Sequence, residues 1–410
     1  LSLLSKHDII WRGMSLMHTG MEEQFAGHFN AARQIIAEAR SLSMGNFHLL
    51  IAAILGLGNL YFEQGALQQA RQYYRQALAE TEKRKERTRD DQGFALLGLA
   101  QLAYEWNDLA DARQKASQAL ANGRQLNNTS LQTQSALALA RILHAQGEDE
   151  QAQQLLQELV AQIRRPRLLR ELLLGQARLA LACGDLATAQ RWTPARTHPG
   201  TPIPFAQLEQ EMMFKARLLI AQGAFHKALT LLNGWQREEF SRGVLENLVL
   251  SALAHAQLSS IEQSTAPQTN GTDHQFQARQ RILRALELAQ PEAFQRLFLD
   301  EGETMASLLR TILPEIRDTA LHAYASNLAL AFSKPGVTSA SSAPASHLLS
   351  LQEQRVLHLL AAGHTRQAIA QELIVSLNTI KTHVKNIYRK LGAASREEAC
   401  ARARALRLLP

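Results

Sequence analysis

The chain has 410 residues, with 44 lysines and arginines against 37 aspartates and glutamates, which gives a net charge of +7. This length predicts two or more domains. Two cysteines far apart in sequence, Cys183 and Cys400, exclude a disulfide framework and favour a reducing compartment, so we expect a cytoplasmic protein. No stretch approaches the roughly 18 uninterrupted apolar residues of a membrane helix, so we expect no membrane partner.

The start of the chain predicts a fragment. No signal-peptide pattern opens it, and the first residue is Leu1 rather than methionine, already within a helical pattern. We therefore expect that the N-terminal part of a longer protein is missing.

A short pattern repeats through the first half of the chain. A turn residue recurs every 37 to 42 residues, and an alanine follows each turn residue five positions later. The turn residues are Gly27, Gly65, Asn107, Gly147, Gly184 and Gly223, and the alanines are Ala32, Ala70, Ala112, Ala152, Ala189 and Ala228. Glycine and asparagine suit a helix end in the left-handed conformation, and alanine suits the contact between two helices. The pattern therefore predicts helical hairpins.

Within Ala53–Leu78, the spacings of six residues match the tetratricopeptide pattern: Gly58, Tyr61, Gly65, Ala70, Tyr74 and Ala77. Helices slightly longer than those of the 34-residue unit would give the observed period. Stacked hairpins of this kind form a right-handed superhelix with a concave binding surface. We therefore predict an all-α fold with this superhelix at its N-terminal side. The alternative is a helical bundle without repeats.

Further helices are predicted beyond the six repeats. A degenerate pair spans Leu245–Gln257 and Gln277–Leu288, separated by a polar insertion at Ser259–His274, and Pro291–Phe332 is interpreted as further helix. Ser333–His347 is rich in serine, alanine and proline, which indicates a flexible linker. The predicted division is a repeat domain at 1–332, a linker at 333–347 and a second domain at 348–410.

The last 63 residues hold most of the excess positive charge. Leu348–Pro410 contains ten lysines and arginines and four acidic residues, a net charge of +6. A compact module with such an excess is typical of nucleic-acid binding, although an ordinary basic helical bundle is the alternative.

Within this module, a helical pattern presents one apolar and one polar face. Ile380, Val384, Ile387 and Leu391 form a narrow stripe that must face a core. Ser376 is placed to cap this helix, and Thr365 to cap a preceding helix that reaches Glu372. The short link between the two helices is typical of a helix–turn–helix, whose second helix enters the major groove. The opposite face carries Asn378, Thr379, Lys381, Thr382, Lys385, Asn386 and Arg389.

These residues resemble the LuxR-type helix–turn–helix family over about sixty positions. The matching positions are Leu349, Ser350, Glu353, Val356, Leu357, Gly363, Ile369–Ala370, 378–391, Ser395–Arg396 and Glu398–Ala399. The resemblance implies a four-helix module that binds DNA. It implies base contacts from Lys381, Thr382 and Lys385, and places Thr379, His383 and Arg389 near the phosphates, with Asn386 on the same exposed face.

A second resemblance concerns the segment before the linker. Phe298–Gly302, followed by Leu308 and Leu309, is similar to the segment that precedes the DNA-binding module in large ATP-binding LuxR regulators and MalT-like activators. In that family the ATP-binding domain comes before the repeats, so we expect it upstream of residue 1. The chain has no G-x-x-x-x-G-K-[ST] motif, and we expect no cofactor in it.

No other site is predicted. The histidines show no zinc-like spacing with cysteines or carboxylates, and no catalytic arrangement can be argued, so we expect neither a metal site nor an enzyme. The sequence favours a bacterial transcriptional regulator whose repeats sense a small-molecule or protein effector, and the resemblance to MalT-like regulators implies an activator. The resemblance implies promoter DNA and RNA polymerase as partners and a homo-oligomer as the active state. The alternative is a helical-repeat scaffold with auxiliary DNA binding.

Overall fold

The computed structural model describes the chain in two compact units, Leu1–Ser341 and Ser342–Pro410. The described residues are 9–43, 45–83, 89–193, 203–235, 239–265, 271–332, 356–357, 359–361, 363–372, 380, 384, 387–388, 393 and 395–405. Regular structure within these ranges consists of helices and contains no strand, so the all-α prediction is confirmed. No helix among them is long and apolar enough to cross a bilayer.

The first unit consists of helical hairpins followed by shorter helices. The hairpin helices are α1 (Ile9–Ala26), α2 (Phe29–Ser41), α3 (Phe47–Glu63), α4 (Leu67–Glu82), α5 (Arg89–Glu105), α6 (Leu109–Gln125), α7 (Thr129–Ala145), α8 (Asp149–Gln162), α9 (Pro166–Ala182), α10 (Leu186–Gln190), α11 (Phe205–Ala221), α12 (Phe225–Asn233), α13 (Arg242–Thr265) and α14 (Gly271–Ala289). The shorter helices are α15 (Arg296–Leu299), α16 (Gly302–Ile312) and α17 (Thr319–Ala331).

The six predicted turns have the backbone conformation that their residues suggested. All six turn residues have a positive φ, from 62° at Asn107 to 87° at Gly27. Each of the six alanines that follow has an exposed fraction of 0%. The turn lets the second helix fold back, and the alanine lets it approach the first closely. The prediction of in-phase helical hairpins is therefore confirmed.

The first helices of successive hairpins form an inner layer that closes on itself. Each odd-numbered helix from α1 to α13 packs against the next one, and in addition α1 contacts α11 and α3 contacts α13. Phe205 at the start of α11 joins the two ends, because its ring meets Phe29 edge-on at 6.2 Å and stacks on Trp235 at 5.3 Å. The end of the repeat array is thus held against its beginning by aromatic contacts.

The structure corrects one prediction about the region after the sixth hairpin and adds detail to another. Most of the predicted insertion Ser259–His274 is helical, since α13 continues to Thr265 and α14 begins at Gly271, while 266–270 lie outside the described residues. The mutual packing of α13 and α14 supports these extra turns in spite of their polar sequence.

The predicted helical character of Pro291–Phe332 is confirmed, and the structure divides this region into three short helices. Ala293 and Gly302 have φ values of 53° and 70°, which end helical geometry at those positions. Proline lacks the N–H that a helix interior needs, and both 3-10 turns, Gln290–Glu292 and Leu313–Glu315, contain one. The predicted linker Ser333–His347 lies outside the described residues.

The second unit has a small apolar core. Its described helices are α18 (Arg366–Glu372) and α19 (Arg396–Ala405). The buried core residues are Val356, Leu357, Leu360, Ile369, Ala370, Ile380, Val384, Ile387, Ala399, Cys400 and Ala403. None of them carries a charge, so apolar burial holds this unit together.

Candidate functional site

The predicted helix–turn–helix begins with a capped turn and a short helix. The backbone N–H of Gly363, at a φ of 97°, donates to the carbonyl of Leu360 at 3.0 Å and closes the preceding helix. Thr365 then accepts the backbone N–H of Ala368 at its hydroxyl oxygen, at 3.2 Å, at the start of α18. The predicted cap at Thr365 is therefore confirmed.

The apolar stripe of the predicted DNA-reading helix is buried. Ile380, Val384 and Ile387 are helical, and their exposed fractions are 0%, 3% and 0%. They belong to the same core as Ile369 of α18 and Ala399 of α19. The stripe therefore anchors this helix to the rest of the unit. Leu391 and the predicted cap Ser376 lie outside the described residues.

The last helix is tied to the first part of the unit through Arg396. Its guanidinium donates a hydrogen bond to the carbonyl of Leu360, and the Ser395 hydroxyl caps α19 by accepting the N–H of Glu398 at 3.2 Å. These bonds satisfy polar groups at helix ends that would otherwise lack partners. They fix the position of α19 relative to Leu360 in the same apolar core as the buried stripe.

The predicted DNA-contacting residues lie outside the described residues, and their assignment remains a prediction. They are Thr379, Lys381, Thr382, His383, Lys385, Asn386 and Arg389.

A second candidate site, missed by the sequence analysis, is a cluster of charged groups inside the repeat unit. Three arginines occupy the same position in three successive first helices, six residues before the turn residue: Arg141 in α7, Arg178 in α9 and Arg217 in α11. We call these three residues the arginine ladder. Their repeat spacing is the sequence signal that could have revealed them.

Acidic residues from the segment between α15 and α16 neutralise two members of the ladder. Arg141 lies 3.5 Å from an Asp300 carboxylate oxygen, and its guanidinium sits 4.6 Å from the Tyr104 ring centroid. Arg217 donates to Glu301 at 3.0 Å. Both acids belong to Phe298–Gly302, the segment whose sequence signature is similar to that of MalT-like regulators.

A network of ion pairs connects Arg217 to residues of α13 and α5. Arg217 donates to Glu246 at 2.5 Å, and Arg242 bridges Glu246 at 3.0 Å and Glu105 at 2.7 Å. Although burial favours the neutral acid, the guanidinium groups of Arg217, Arg242 and Arg178 hold the pKa of Glu246 well below its ordinary value. Glu246 therefore stays ionised and holds cations from two helices together.

A similar arrangement surrounds Asp300. Its carboxylate accepts the Tyr104 hydroxyl at 2.8 Å and pairs with Arg296 at 2.5 Å. Burial opposes ionisation here too, but Arg296 and Arg141 keep the pKa of Asp300 below its ordinary value. We call the whole cluster the charged interior; it comprises Tyr104, Glu105, Arg141, Arg178, Arg217, Arg242, Glu246, Arg296, Asp300 and Glu301.

Arg178 differs from the other two members of the ladder. The residue is half-buried, and in the part of the chain that the structure describes its guanidinium makes no hydrogen bond or ion pair. Burial lowers the pKa of Arg178 to about 10, with a further contribution from the positive charge of Arg141, while Glu246 acts in the opposite direction. The charged interior therefore contains a cation that its surroundings do not neutralise.

One further cluster concerns the predicted absence of a metal site. His144, Asp149 and Cys183 bring three potential ligand atoms within 4.8 Å of one another. The His144 Nδ1 to Asp149 Oδ1 distance is 2.6 Å, a hydrogen-bond length, whereas two ligands of a tetrahedral zinc lie roughly 3.3 Å apart. The trio is arranged as a histidine–aspartate pair beside a thiol whose pKa burial raises to about 11.

Comparison with known families matches both units. The family model described as the MalT-like TPR region matches residues 1–315. The model for bacterial regulatory proteins of the luxR family matches residues 347–403.

Curated relatives point the same way. Proteins named HTH-type transcriptional regulator MalT, from Yersinia enterocolitica and from Yersinia pestis, are each 28% identical to the chain. Each alignment covers 54% of this chain and 26% of the relative. The matched region therefore spans about a quarter of the length of these relatives.

Proposed function

The chain belongs to the MalT-like family of LuxR-type transcriptional regulators, and we propose that the whole protein controls transcription by binding promoter DNA through its C-terminal unit. The observation that carries this proposal is the buried stripe Ile380, Val384 and Ile387 within the match to the luxR family. A helix anchored along one stripe has its opposite face free for the major groove.

We propose that the opposite face reads and positions DNA. Lysine and arginine suit guanine edges and phosphates, and threonine and asparagine also bind bases. The proposed contact residues are Thr379, Lys381, Thr382, His383, Lys385, Asn386 and Arg389. The net charge of +6 in Leu348–Pro410 supports this assignment, because DNA binding depends largely on neutralised phosphates.

The repeat unit is the proposed sensor. The charged interior supports this role, because the end of the repeat array, α13 to α16, there contacts the first helices of earlier hairpins. A molecule bound at this junction can change how the two parts of the array pack. In this proposal the effector is a small molecule or a protein, and the active protein oligomerises and recruits RNA polymerase in the cytoplasm.

In this proposal the chain itself catalyses no reaction and holds no cofactor. ATP binding is assigned to a domain upstream of residue 1, as the family resemblance implies. The division into a repeat domain at 1–332, a linker at 333–347 and a DNA-binding domain at 348–410 also remains a prediction.

The proposal is tested with two substitutions on the predicted DNA-reading face. A binding site is first selected from random duplexes with the full chain. Lys385→Ala is then expected to reduce discrimination between this site and random DNA by about 1–3 kcal/mol, because a base contact is lost. Arg389→Ala is expected to weaken binding to both duplexes equally and to lower the salt slope by about one, because a phosphate contact is lost.

Circular dichroism serves as the folding control for both variants. If folded Lys385→Ala retains the full specificity ratio, the reading face has been assigned to the wrong side of the helix. If the unsubstituted chain selects no duplex at all, direct DNA binding by this chain is refuted.

A further inference from the structure

The arginine ladder is neutralised unevenly. The chain supplies Asp300 to Arg141 and Glu301 to Arg217, whereas Arg178, which lies between them in repeat order, receives no carboxylate among the described residues. The three first helices that carry the ladder are neighbours, since α7 contacts α9 and α9 contacts α11. The unpaired cation is thus one member of a series whose other members both have anionic partners.

The charged interior as a whole has one cation in excess. It contains the five arginines Arg141, Arg178, Arg217, Arg242 and Arg296, and the four acids Glu105, Glu246, Asp300 and Glu301. Partly buried charges are usually paired, because an unpaired charge away from water destabilises the fold. An additional anion would complete the pairing in the charged interior.

We propose that the guanidinium of Arg178 is the binding site for an oxyanion, a carboxylate or phosphate group, carried by the effector of the repeat unit. The planar guanidinium presents two parallel N–H donors that match both kinds of group. The identification of the ligand as the effector rests on the sensor role proposed above, whereas the binding site itself rests on the ladder.

The surroundings of Arg178 favour a charged ligand over a neutral one. A neutral sugar would leave the excess cation uncompensated, while an oxyanion removes its repulsion with Arg141, Arg217 and Arg242. Charge-assisted hydrogen bonds are also stronger where water is partly excluded. The unliganded protein therefore contains a group that lowers its stability, which is typical of residues kept for binding.

The test measures anion binding to the full chain by calorimetry at fixed ionic strength. The probes are inorganic phosphate and citrate, which distinguish phosphate from carboxylate, with glucose as the neutral control. The unsubstituted chain is expected to bind at least one anion saturably with 1:1 stoichiometry and to bind no glucose. Arg178→Gln should weaken that binding at least about tenfold, since a charge-assisted hydrogen bond contributes about 1.5–3 kcal/mol.

A matched control removes an arginine elsewhere in the repeats. Arg124→Gln changes the net charge equally, at an exposed position in the last turn of α6, and should leave anion affinity within about twofold. The proposal is wrong if neither anion binds the unsubstituted chain saturably up to about 10 mM. It is also wrong if Arg178→Gln binds the anion as tightly as the control variant Arg124→Gln.

A second measurement needs no ligand. Without anion, Arg178→Gln should melt at a higher temperature than the unsubstituted chain, because the substitution removes repulsion among the arginines. Melting at a lower temperature would show that Arg178 is already neutralised and would overturn the inference. Specific DNA binding by the same samples is scored separately, so that failure of the anion site and failure of the proposed regulator are distinguishable.

Discussion

The two units of this protein use charged residues in opposite ways. The repeat unit encloses ion pairs such as Arg242–Glu105 and Arg217–Glu246, and the 347 residues outside Leu348–Pro410 are nearly neutral, with 34 basic and 33 acidic residues. The C-terminal unit has a core without a charged side chain, and ten of its residues are basic against four acidic. Charge is therefore part of the internal packing in the first unit, whereas in the second unit it lies outside the described core.

This difference determines which substitutions destabilise each unit. A small unit with one apolar core has little stability to lose, so a single buried charge is sufficient to unfold it. The repeat unit distributes its packing over many hairpins, and its weak points are groups that neutralise several neighbours at once.

The largest effect is expected from Ile387→Asp. Ile387 is fully buried in the core of the second unit, and a carboxylate there would be desolvated without a partner. We expect a loss on the order of 5 kcal/mol, enough to unfold a unit of this size and abolish DNA binding. Differential scanning calorimetry and DNA titration on the full chain measure both consequences.

The same experiment tests whether the two units fold independently. The melting transition of the repeat unit should be unchanged in Ile387→Asp, and the conservative variant Ile387→Val should keep DNA binding with a loss of about 0.5–1.5 kcal/mol. A shift of the repeat transition comparable to that of the C-terminal unit would contradict the predicted domain division.

The second prediction concerns the ion pairs of the repeat unit. Glu246 pairs with both Arg217 and Arg242, so Glu246→Gln removes one carboxylate partner from each of two buried guanidinium groups. Arg217 keeps Glu301 and Arg242 keeps Glu105. The expected loss is about 1.5–3 kcal/mol, the usual contribution of hydrogen bonds to a charged group, because each guanidinium retains a second carboxylate. Chemical denaturation of the repeat unit provides the measurement.

This prediction has a defined pH dependence. The pKa of Glu246 is lower in the folded protein than its ordinary value of 4.5, so the unfolded chain binds the proton more readily. The stabilisation is therefore fully present above pH 4.5 and is lost as the pH falls from 4.5 towards the lower folded value. The difference in stability between the two proteins should shrink in this window, and a constant difference would show that Glu246 does not titrate in this way.

The contrast between the units also shows what the sequence could predict. The turn residues and alanines of the hairpins were predicted because each acts within one repeat, where neighbours along the chain decide the structure. The charged interior was missed because it joins distant positions: Glu105 and Arg242 are 137 residues apart, and Tyr104 and Asp300 are 196 apart. No local pattern indicates which distant residues meet when the array closes on itself.

In the C-terminal unit, local sequence patterns predicted more of the structure. The buried stripe and the Thr365 cap follow from helical periodicity and capping preference alone, and the structure confirms both at Ile380, Val384, Ile387 and Thr365. Base contacts by Lys381 and Lys385 remain a prediction, and which bases they would contact depends on the sequence of the DNA partner.

The smallest effect is expected at a glycine inside the repeats. Tyr74 is fully buried between two first helices, and its hydroxyl donates to Asn59 at 2.7 Å, which fixes the ring. A methyl group at Gly98 would lie 2.5 Å from atoms of this ring, and one at Gly58 would lie 2.8 Å away. The repeats therefore depend on the absence of a side chain at these two positions.

Gly98→Ala should destabilise the repeat unit by about 1–2 kcal/mol. Overpacking costs about 1–3 kcal/mol, and the better helix propensity of alanine offsets up to about 1 kcal/mol of that. The control is Gly234→Ala, where φ is −70° and the nearest atoms lie 3.5 Å away, so alanine fits and should be neutral or slightly stabilising. Urea denaturation measures the free energy of unfolding of both variants. If Gly98→Ala is as stable as Gly234→Ala, the close approach of the hairpins around Tyr74 is not what holds successive repeats together.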